Sequence, residues 1–113
     1  MKSYAFALDL KDDPEVIRTY EKYHREVWPE VIAALKAVGI IRMRIYRTGN
    51  RLFMFTEAAD TFDPARDFPR YVEQSPRARE WDELMRQYQQ KLASAGPDDW
   101  WAPMSLAFDS EWS

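Results

Sequence analysis

The residues best suited to chemistry are one histidine and two aromatic side chains, one four positions before it and one four after. His24 is the only histidine in a chain of 113 residues that has no cysteine. Histidine is the only side chain whose ordinary pKa lets its charge change between about pH 5 and 8. Tyr20 and Trp28 would share its helix face, because residues four apart stack on one side of a helix. His24 is therefore the first candidate for acid–base chemistry near neutral pH.

This stripe allows two interpretations. In the first, tyrosine offers a hydroxyl, histidine a transferable proton and tryptophan a flat apolar face, a combination that suits a sugar. In the second, Tyr20 and Trp28 belong to the core, and His24 is a surface or hydrogen-bonded histidine. Spacing alone favours the second interpretation.

Two further groups of residues have the same ambiguity. Trp81, followed by Asp82, begins the apolar stripe of a late helix, so core packing is its expected use and a site its alternative. Trp100 and Trp101 follow a Gly-Pro-Asp-Asp sequence, where adjacent tryptophans suit either a pocket lid or a contact between subunits.

Composition excludes several classes of protein. The lack of cysteine rules out disulfides, thiolate metal sites and thiol catalysis, and a single histidine disfavours a transition-metal site. No phosphate-binding loop or HExxH pattern is present, so we expect no metal and no cofactor. A net charge of −3 without a basic run argues against a nucleic-acid partner. The apolar N-terminal stretch ends at Asp9, which is too short for a signal peptide or membrane span, so we expect a cytoplasmic protein with no membrane partner.

Hydrophobic periodicity and Pro or Gly boundaries predict the elements that position these residues. The expected elements are a strand over 3–10, a helix from Pro14 capped by Asp13, a second helical segment from Pro29 to Gly39, strands over 40–47 and 52–58, a short helix from Asp63-Pro64, a helix capped by Ser75 and ended by Gly96-Pro97, and a last strand over 104–109.

The order strand, helix, strand, strand, helix, strand predicts an α+β fold of the ferredoxin-like, split βαβ type, with residues 1–113 forming one domain. Such a sheet has helices on one face only. Phe53, Phe55 and Phe108 would give the other face more apolar surface than that one layer covers. We therefore expect a homodimer in which two sheets face each other.

The pattern Tyr20-x-x-x-His24-x-x-x-Trp28-Pro29-Glu30 resembles that of the L-rhamnose mutarotase family. The likeness continues through Gly39, Ile45-Tyr46, the run Asn50-Arg51-Leu52-Phe53 up to Glu57, Trp81 and the segment around Phe108. The resemblance implies a dimeric α+β barrel of ferredoxin-like subunits. It also implies an isomerase that interconverts the α and β anomers of a 6-deoxy-L-sugar without a cofactor.

The resemblance further implies roles for single residues. His24 matches the family's proton donor and Tyr20 a sugar-binding tyrosine. Trp81 falls at or next to a sugar-binding tryptophan pair, of which only one tryptophan is present here, and Met43 takes the place of a substrate-contacting tyrosine of the rhamnose enzymes. These two departures, and the runs around Met43 and Trp81, look more like the L-fucose branch. The expected site therefore comprises catalytic His24 with the substrate-binding residues Tyr20, Trp28, Met43, Trp81 and Asp82.

Two other functions fit the same fold class. One is a cofactor-free monooxygenase of the ferredoxin-like dimeric type, which would have an aromatic, apolar pocket. The other is a module that binds a sugar or a partner and catalyses nothing.

Overall fold

Three long strands and four helices make up most of the chain. The structure is a computed structural model that describes residues 1–112. In chain order the elements are β1 (Lys2–Leu10), α1 (Pro14–Arg25), α2 (Pro29–Ala37), β2 (Ile40–Thr48), β3 (Arg51–Ala58), α3 (Pro64–Tyr71), α4 (Pro76–Arg86), β4 (Gln89–Gln90) and β5 (Ala102–Pro103).

The sheet has the strand order β2-β3-β1-β4, with every neighbouring pair antiparallel, and β5 also pairs with β1. A strand inserted between the two parallel strands of a βαβ unit is the split βαβ arrangement. The α+β, ferredoxin-like fold predicted from the sequence is therefore confirmed. Within one chain the sheet is open.

Each of three helices begins as the sequence predicts. Asp13, Asp63 and Ser75 adopt extended backbone, accept a hydrogen bond from the first turn of their helix, and are each followed by proline. Such residues satisfy backbone N–H groups that have no partner inside the helix, and proline has no N–H to satisfy.

The break between α1 and α2 separates Trp28 from the helix that carries His24. α1 ends at Arg25, and Pro29 starts α2 after Trp28 has adopted extended backbone with φ −60° and ψ 136°. Proline disfavours helical backbone in the residue before it. The helical stripe predicted from Tyr20 to Trp28 therefore stops after His24, and Trp28 reaches the site by another route. At the far end of α2, Gly39 turns the chain into β2 with a φ of +104°, a conformation that favours glycine.

The core lies between the helices and one face of the sheet. Phe6, Leu8 and Leu10 alternate along β1, and Leu52 and Met54 do so along β3, all of them buried. The opposite face, which we call the outer face, carries the partly exposed Phe53 and Phe55 of β3 and the exposed Tyr46 of β2. Helices cover one face only, as expected.

The predicted end of the last helix is wrong. α4 ends at Arg86 instead of near residue 96, and Tyr88 and Leu92 are not helical. The chain leaves the helix because it forms hydrogen bonds with the edge of β1. The N–H of Lys11 donates to the Tyr88 carbonyl at 2.9 Å, and Gln89 pairs with Leu10. A tertiary strand contact thus overrides a helical apolar pattern.

The predicted last strand over 104–109 is also wrong. The fourth strand of the sheet is β4, and β5 meets β1 only as far as the bond from the Met104 N–H to the Ala5 carbonyl at 2.9 Å. Beyond that point no strand of the described residues 1–112 pairs with this segment, and Leu106 and Phe108 are 69% and 73% exposed. The alternating pattern of a strand is present, but a strand also needs a hydrogen-bonding neighbour.

Within residues 1–112, none of the helices has the length and apolar character needed to cross a membrane.

Candidate active site

His24 lies in the last turn of α1, and one hydrogen bond fixes which nitrogen carries its proton. Its Nδ1 is 2.9 Å from the backbone carbonyl oxygen of Tyr20. A carbonyl oxygen only accepts hydrogen bonds, so Nδ1 must be the N–H donor. In the neutral ring this leaves Nε2 without a hydrogen and free to accept a proton.

Burial keeps this histidine neutral. Removal from water lowers the pKa of His24 below its ordinary 6.5, and the hydrogen bond to the Tyr20 carbonyl opposes that shift only in part. Since the pKa lies below 6.5, more than about three-quarters of His24 is neutral at pH 7. The group is therefore in its basic form under physiological conditions.

Two aromatic rings pack against the imidazole of His24. The ring of Tyr20 is 4.3 Å from that of His24 between centroids, and Trp81 meets the imidazole edge-on at 5.3 Å. Trp81 is 6% exposed and belongs to the hydrophobic core. The two interpretations of Trp81 are thus not exclusive, because it is a core residue that also packs against His24.

Trp28 joins this cluster through Trp81. The two indole rings are 5.1 Å apart in an edge-on arrangement, and the Arg77 guanidinium lies 3.7 Å from the ring centre of Trp28. Cation–π contacts of this kind hold an aromatic ring in place. The tryptophan therefore stays near the histidine although no helix connects the two residues.

Tyr20 is 3% exposed, and a chain of side-chain hydrogen bonds reaches its hydroxyl. Gln89 Nε2 donates to the Tyr20 hydroxyl at 3.0 Å, and Trp100 Nε1 donates to Gln89 Oε1 at 2.7 Å. Burial raises the pKa of Tyr20 to about 12, against the smaller, opposite effect of the Gln89 hydrogen bond. Tyr20 is therefore a neutral phenol with a hydroxyl hydrogen to donate.

Sequence reasoning missed this use of Gln89 and Trp100. The sequence suggested only a pocket lid or a subunit contact for Trp100, and it predicted a helix over the segment that contains Gln89. Nothing in the sequence identifies Gln89, because its partner Tyr20 is 69 positions away.

A cavity of about 200 Å³ opens beside His24 and Tyr20. Its other lining residues are Glu21 and Arg25 of α1, Ile45 and Arg47 of β2, and Leu52 of β3. Glu21 and Arg47 form an ion pair across it at 3.2 Å. Carboxylate and guanidinium groups offer acceptors and donors for hydroxyl groups, while Ile45 and Leu52 supply apolar surface. The cavity is below the range of about 300–1,000 Å³ typical of drug-sized ligands, which suits a small polar molecule.

A larger groove of about 440 Å³ lies elsewhere, between the end of α3 and α4. Glu73, Glu80, Glu83 and Arg79 line it together with Val72, Gln74, Ser75 and Pro76. It contains no aromatic or histidine side chain, so the smaller cavity is the better candidate site despite its size.

Four of the predicted site residues, Trp28, Met43, Trp81 and Asp82, do not line the cavity. Met43 is half-buried on β2 and packs against the core, directly opposite the buried Thr56 of β3. Asp82 Oδ2 accepts from Arg86 Nε at 3.0 Å one helical turn away. The structure therefore brings together His24, Tyr20, Trp28 and Trp81, of which His24 and Tyr20 line the cavity, and leaves Met43 and Asp82 outside that group.

No metal-binding arrangement accompanies the site. Among the 112 described residues, no three or more His, Cys, Asp or Glu side chains are grouped so as to hold a metal ion.

Comparison with known proteins identifies the family. The L-rhamnose mutarotase family model matches residues 3–110. A UPF0734 protein of Dictyostelium discoideum is 49% identical over 114 residues, which cover 98% of this chain and 91% of that protein. An L-fucose mutarotase of Xanthomonas campestris is 39% identical over 110 residues, which cover 96% of this chain and 87% of that enzyme.

The crystal structure of an L-rhamnose mutarotase from Formosa agariphila has the same fold. It superposes with a TM-score of 0.68 at 22% identity, over 98% of this chain and all of that one. With the family match across nearly the whole sequence, the chain belongs to the L-rhamnose mutarotase family, whose members are isomerases that interconvert sugar anomers.

Proposed function

We propose that this protein interconverts the α and β anomers of a 6-deoxy-L-hexose by acid–base catalysis, with His24 as the base. The observation that carries the proposal is a neutral histidine whose Nε2 is free, next to a neutral tyrosine and a small polar cavity. Family membership supplies the reaction type, and the geometry supplies the groups that would move the protons.

The proton transfers balance without a metal or a redox step. His24 Nε2 takes the proton from the anomeric hydroxyl, the bond between the anomeric carbon and the ring oxygen breaks, and the Tyr20 hydroxyl gives its proton to that ring oxygen. The products of this step are the open-chain aldehyde, an imidazolium and a phenolate. Rotation about the bond next to the aldehyde, followed by the reverse transfers, closes the ring on the other face and restores both side chains.

We expect His24 and Tyr20 to accelerate the reaction moderately, which is sufficient for mutarotation. General acid–base catalysis typically accelerates a reaction about 10²–10⁴-fold. Mutarotation already proceeds in water, so the enzyme needs no larger acceleration than this. Trp81 and Trp28 would hold the imidazole in place from outside the cavity. Met43 would act through the neighbouring Ile45, which lines the cavity two positions further along β2, and Asp82 through Arg86.

The charged rim of the cavity favours a sugar over the alternative substrates. Glu21, Arg25 and Arg47 offer charged donors and acceptors that the hydroxyl groups of a sugar can bond to and an apolar aromatic compound cannot. A cofactor-free monooxygenase would have the opposite lining, and neither it nor a non-catalytic module gains support from the family match.

L-Fucose is the first sugar to test and L-rhamnose the second. The relative that is 39% identical over 96% of the chain is an L-fucose mutarotase. Met43 stands where the resemblance to the rhamnose enzymes implies a tyrosine. A Met43→Tyr variant would then shift the ratio of kcat/KM values toward L-rhamnose by about tenfold, the scale of one added side-chain contact.

The test is saturation-transfer NMR on the anomeric protons of L-fucose, L-rhamnose and D-glucose as a control hexose. We expect wild-type protein to accelerate exchange between the anomers of L-fucose or L-rhamnose and to leave D-glucose at its uncatalysed rate. His24→Ala should return exchange to the uncatalysed rate while circular dichroism shows a folded protein. Equal acceleration by wild type and His24→Ala would remove His24 from the mechanism, and no acceleration of any 6-deoxy sugar would refute the proposed function.

We also propose that residues 1–113 act as one domain that works as a cytoplasmic homodimer. Phe53, Phe55 and Tyr46 leave apolar surface on the outer face, and Phe108 is exposed in the last segment. A second copy packed sheet to sheet would cover this surface, since sheets pack face to face about 10 Å apart.

Light scattering at micromolar concentration tests the dimer. Phe55→Asp on the outer face should give a monomer, because a dimer would bury the new charge without a partner. Ile32→Asp, an equivalent change at a 41%-exposed position of α2, is the matched control and should leave the dimer intact. A monomeric wild-type protein would refute the dimer.

A further inference from the structure

The side chains of Trp100, Gln89 and Tyr20 form a hydrogen-bonded chain from a loop into the site. Trp100 Nε1 to Gln89 Oε1 measures 2.7 Å and Gln89 Nε2 to the Tyr20 hydroxyl measures 3.0 Å. Gln89 and Tyr20 are both buried, at 7% and 3% exposure. Such chains are held firmly, because each unmade bond would leave a buried polar group without a partner.

The order of donors and acceptors along this hydrogen-bonded chain is fixed. The indole N–H is a donor and has no acceptor atom, so it can bond only to the oxygen of the Gln89 amide. This forces the amide nitrogen toward Tyr20, and an amide nitrogen only donates. The oxygen of the Tyr20 hydroxyl therefore accepts, and its own hydrogen points elsewhere. Among residues 1–112 no hydrogen bond donated by the Tyr20 hydroxyl is seen.

We infer that Trp100 and Gln89 are positioning residues that reserve the Tyr20 hydroxyl hydrogen for the substrate. The inference rests on the proposed function, in which Tyr20 donates to the ring oxygen of the sugar. If the Gln89 amide turned over, its oxygen would face Tyr20 and take up the hydroxyl hydrogen. Trp100 prevents this turn, because reversal would bring the amide N–H₂ against the indole N–H, two donors facing each other.

A second contact holds Trp100 in place and gives Asp82 an indirect role. The Arg86 guanidinium lies 4.8 Å from the centre of the Trp100 ring, and the same side chain donates from Nε to Asp82 Oδ2 at 3.0 Å. Asp82 thus anchors the arginine that covers the indole. A residue that the family resemblance places among the substrate contacts would in this way act through Trp100 and Gln89.

Gln89→Glu reverses the direction of the hydrogen bond to Tyr20 without changing the size of the side chain. An ionised carboxylate only accepts, so the Tyr20 hydroxyl would donate to it and lose its hydrogen for the sugar. We expect kcat for anomer exchange to fall about 10²-fold, the lower end for the loss of a general acid, with little change in KM. Trp100→Phe keeps an aromatic ring beneath Arg86 and removes the N–H together with the five-membered ring that carries it, and we expect a smaller loss of about tenfold.

Trp101→Phe is the matched control. Trp101 is half-buried, as Trp100 is, and packs against the core, but no side-chain hydrogen bond is seen for its indole among residues 1–112. We expect its kcat to stay within about twofold of wild type. An equal loss in Trp101→Phe and Trp100→Phe would mean that packing matters and the N–H does not, which would overturn the inference.

A double-mutant cycle separates positioning from structure. If Gln89 acts only through the Tyr20 hydroxyl, then Gln89→Glu should add less than about a twofold loss of kcat in a Tyr20→Phe background. A further loss of 10-fold or more in that background would overturn the inference. If Gln89→Glu does not fold, the same cycle with Trp100→Phe decides the question.

NMR of the side-chain amide separates this inference from the proposed function. In the wild-type protein the Gln89 N–H₂ should exchange slowly with solvent, and Trp100→Phe should accelerate that exchange while Trp101→Phe should not. Loss of slow exchange only with the removal of Trp100 supports the chain whatever the reaction is. Fast exchange in wild type would overturn the chain itself, and a slow amide in a protein that accelerates no anomer exchange would refute only the proposed reaction.

Discussion

The pair of variants His24→Asn and His24→Gln tests the assignment of Nε2 as the base. The amide nitrogen of asparagine lies close to the position of Nδ1, so His24→Asn can still donate to the Tyr20 carbonyl, 2.9 Å from Nδ1 in the wild type. The amide of glutamine reaches the position of Nε2. Neither amide takes up a proton near neutral pH, so both variants should lose the base, and they should differ in stability.

The expected losses follow from the contacts of the ring. Removal of a general base should lower kcat/KM about 10²–10⁴-fold, or about 3–5 kcal/mol in transition-state free energy. The ring also has aromatic neighbours at 4.3 Å and 5.3 Å, and such pairs contribute about 0.5–1.5 kcal/mol each to the free energy of unfolding. His24→Gln additionally loses the hydrogen bond to the carbonyl, about 0.5–1.5 kcal/mol more.

The wild-type pH profile gives the sign of the pKa shift. Since burial lowers the pKa of His24 below 6.5, kcat/KM should decline as pH falls, with the midpoint of the decline below pH 6.5. The folded protein also prefers the neutral ring, so the stability from His24 is complete above pH 6.5 and declines as pH falls through the lowered pKa. With the Tyr20 pKa at about 12, no loss from ionised tyrosine is expected below about pH 10.

The assay is anomer exchange by NMR between pH 5 and 9, with urea denaturation of each variant at pH 7. An acid limb with a midpoint at or above pH 6.5 in wild type would contradict the buried, neutral histidine. His24→Asn that retained more than about a tenth of wild-type kcat/KM would refute the role of Nε2. Equal unfolding free energies for the two variants would refute the bond from Nδ1.

Three further predictions concern the scaffold. Gly39→Ala should lower the free energy of unfolding by about 1–3 kcal/mol because φ is +104°, while Gly49→Asn, at φ +56° with open space around it, should change urea stability by less than about 1 kcal/mol. Leu8→Ala, at 0% exposure in the core, should reduce the same quantity by about 2–5 kcal/mol. The Arg66 guanidinium and the Asp63 N–H hold the Asp67 pKa well below its usual 3.8, so Asp67→Asn should lower Tm at pH 7, and the difference from wild type should shrink as pH falls below 3.8.

Local patterns predicted most of the elements of this fold. The three Asp-Pro or Ser-Pro helix starts, the glycine that ends α2 and the alternation along β1 and β3 act within a few residues, so the sequence displays them directly. The last strand was predicted at the wrong place because its position depends on pairing with a strand far away in the sequence. Residues 104–109 alternate like a strand, yet the edge of β1 is shared by β4 and β5 and leaves them no neighbour.

For the site, too, some chemical properties follow from the sequence and others only from the tertiary structure. The sequence by itself determined that His24 is the only group able to titrate near neutral pH and that Tyr20 stands one helical turn away from it. Only the tertiary structure decided that burial keeps His24 neutral and that Gln89 and Trp100 control the Tyr20 hydroxyl. These properties depend on desolvation and on contacts between residues far apart in the chain, which no local pattern of residues records.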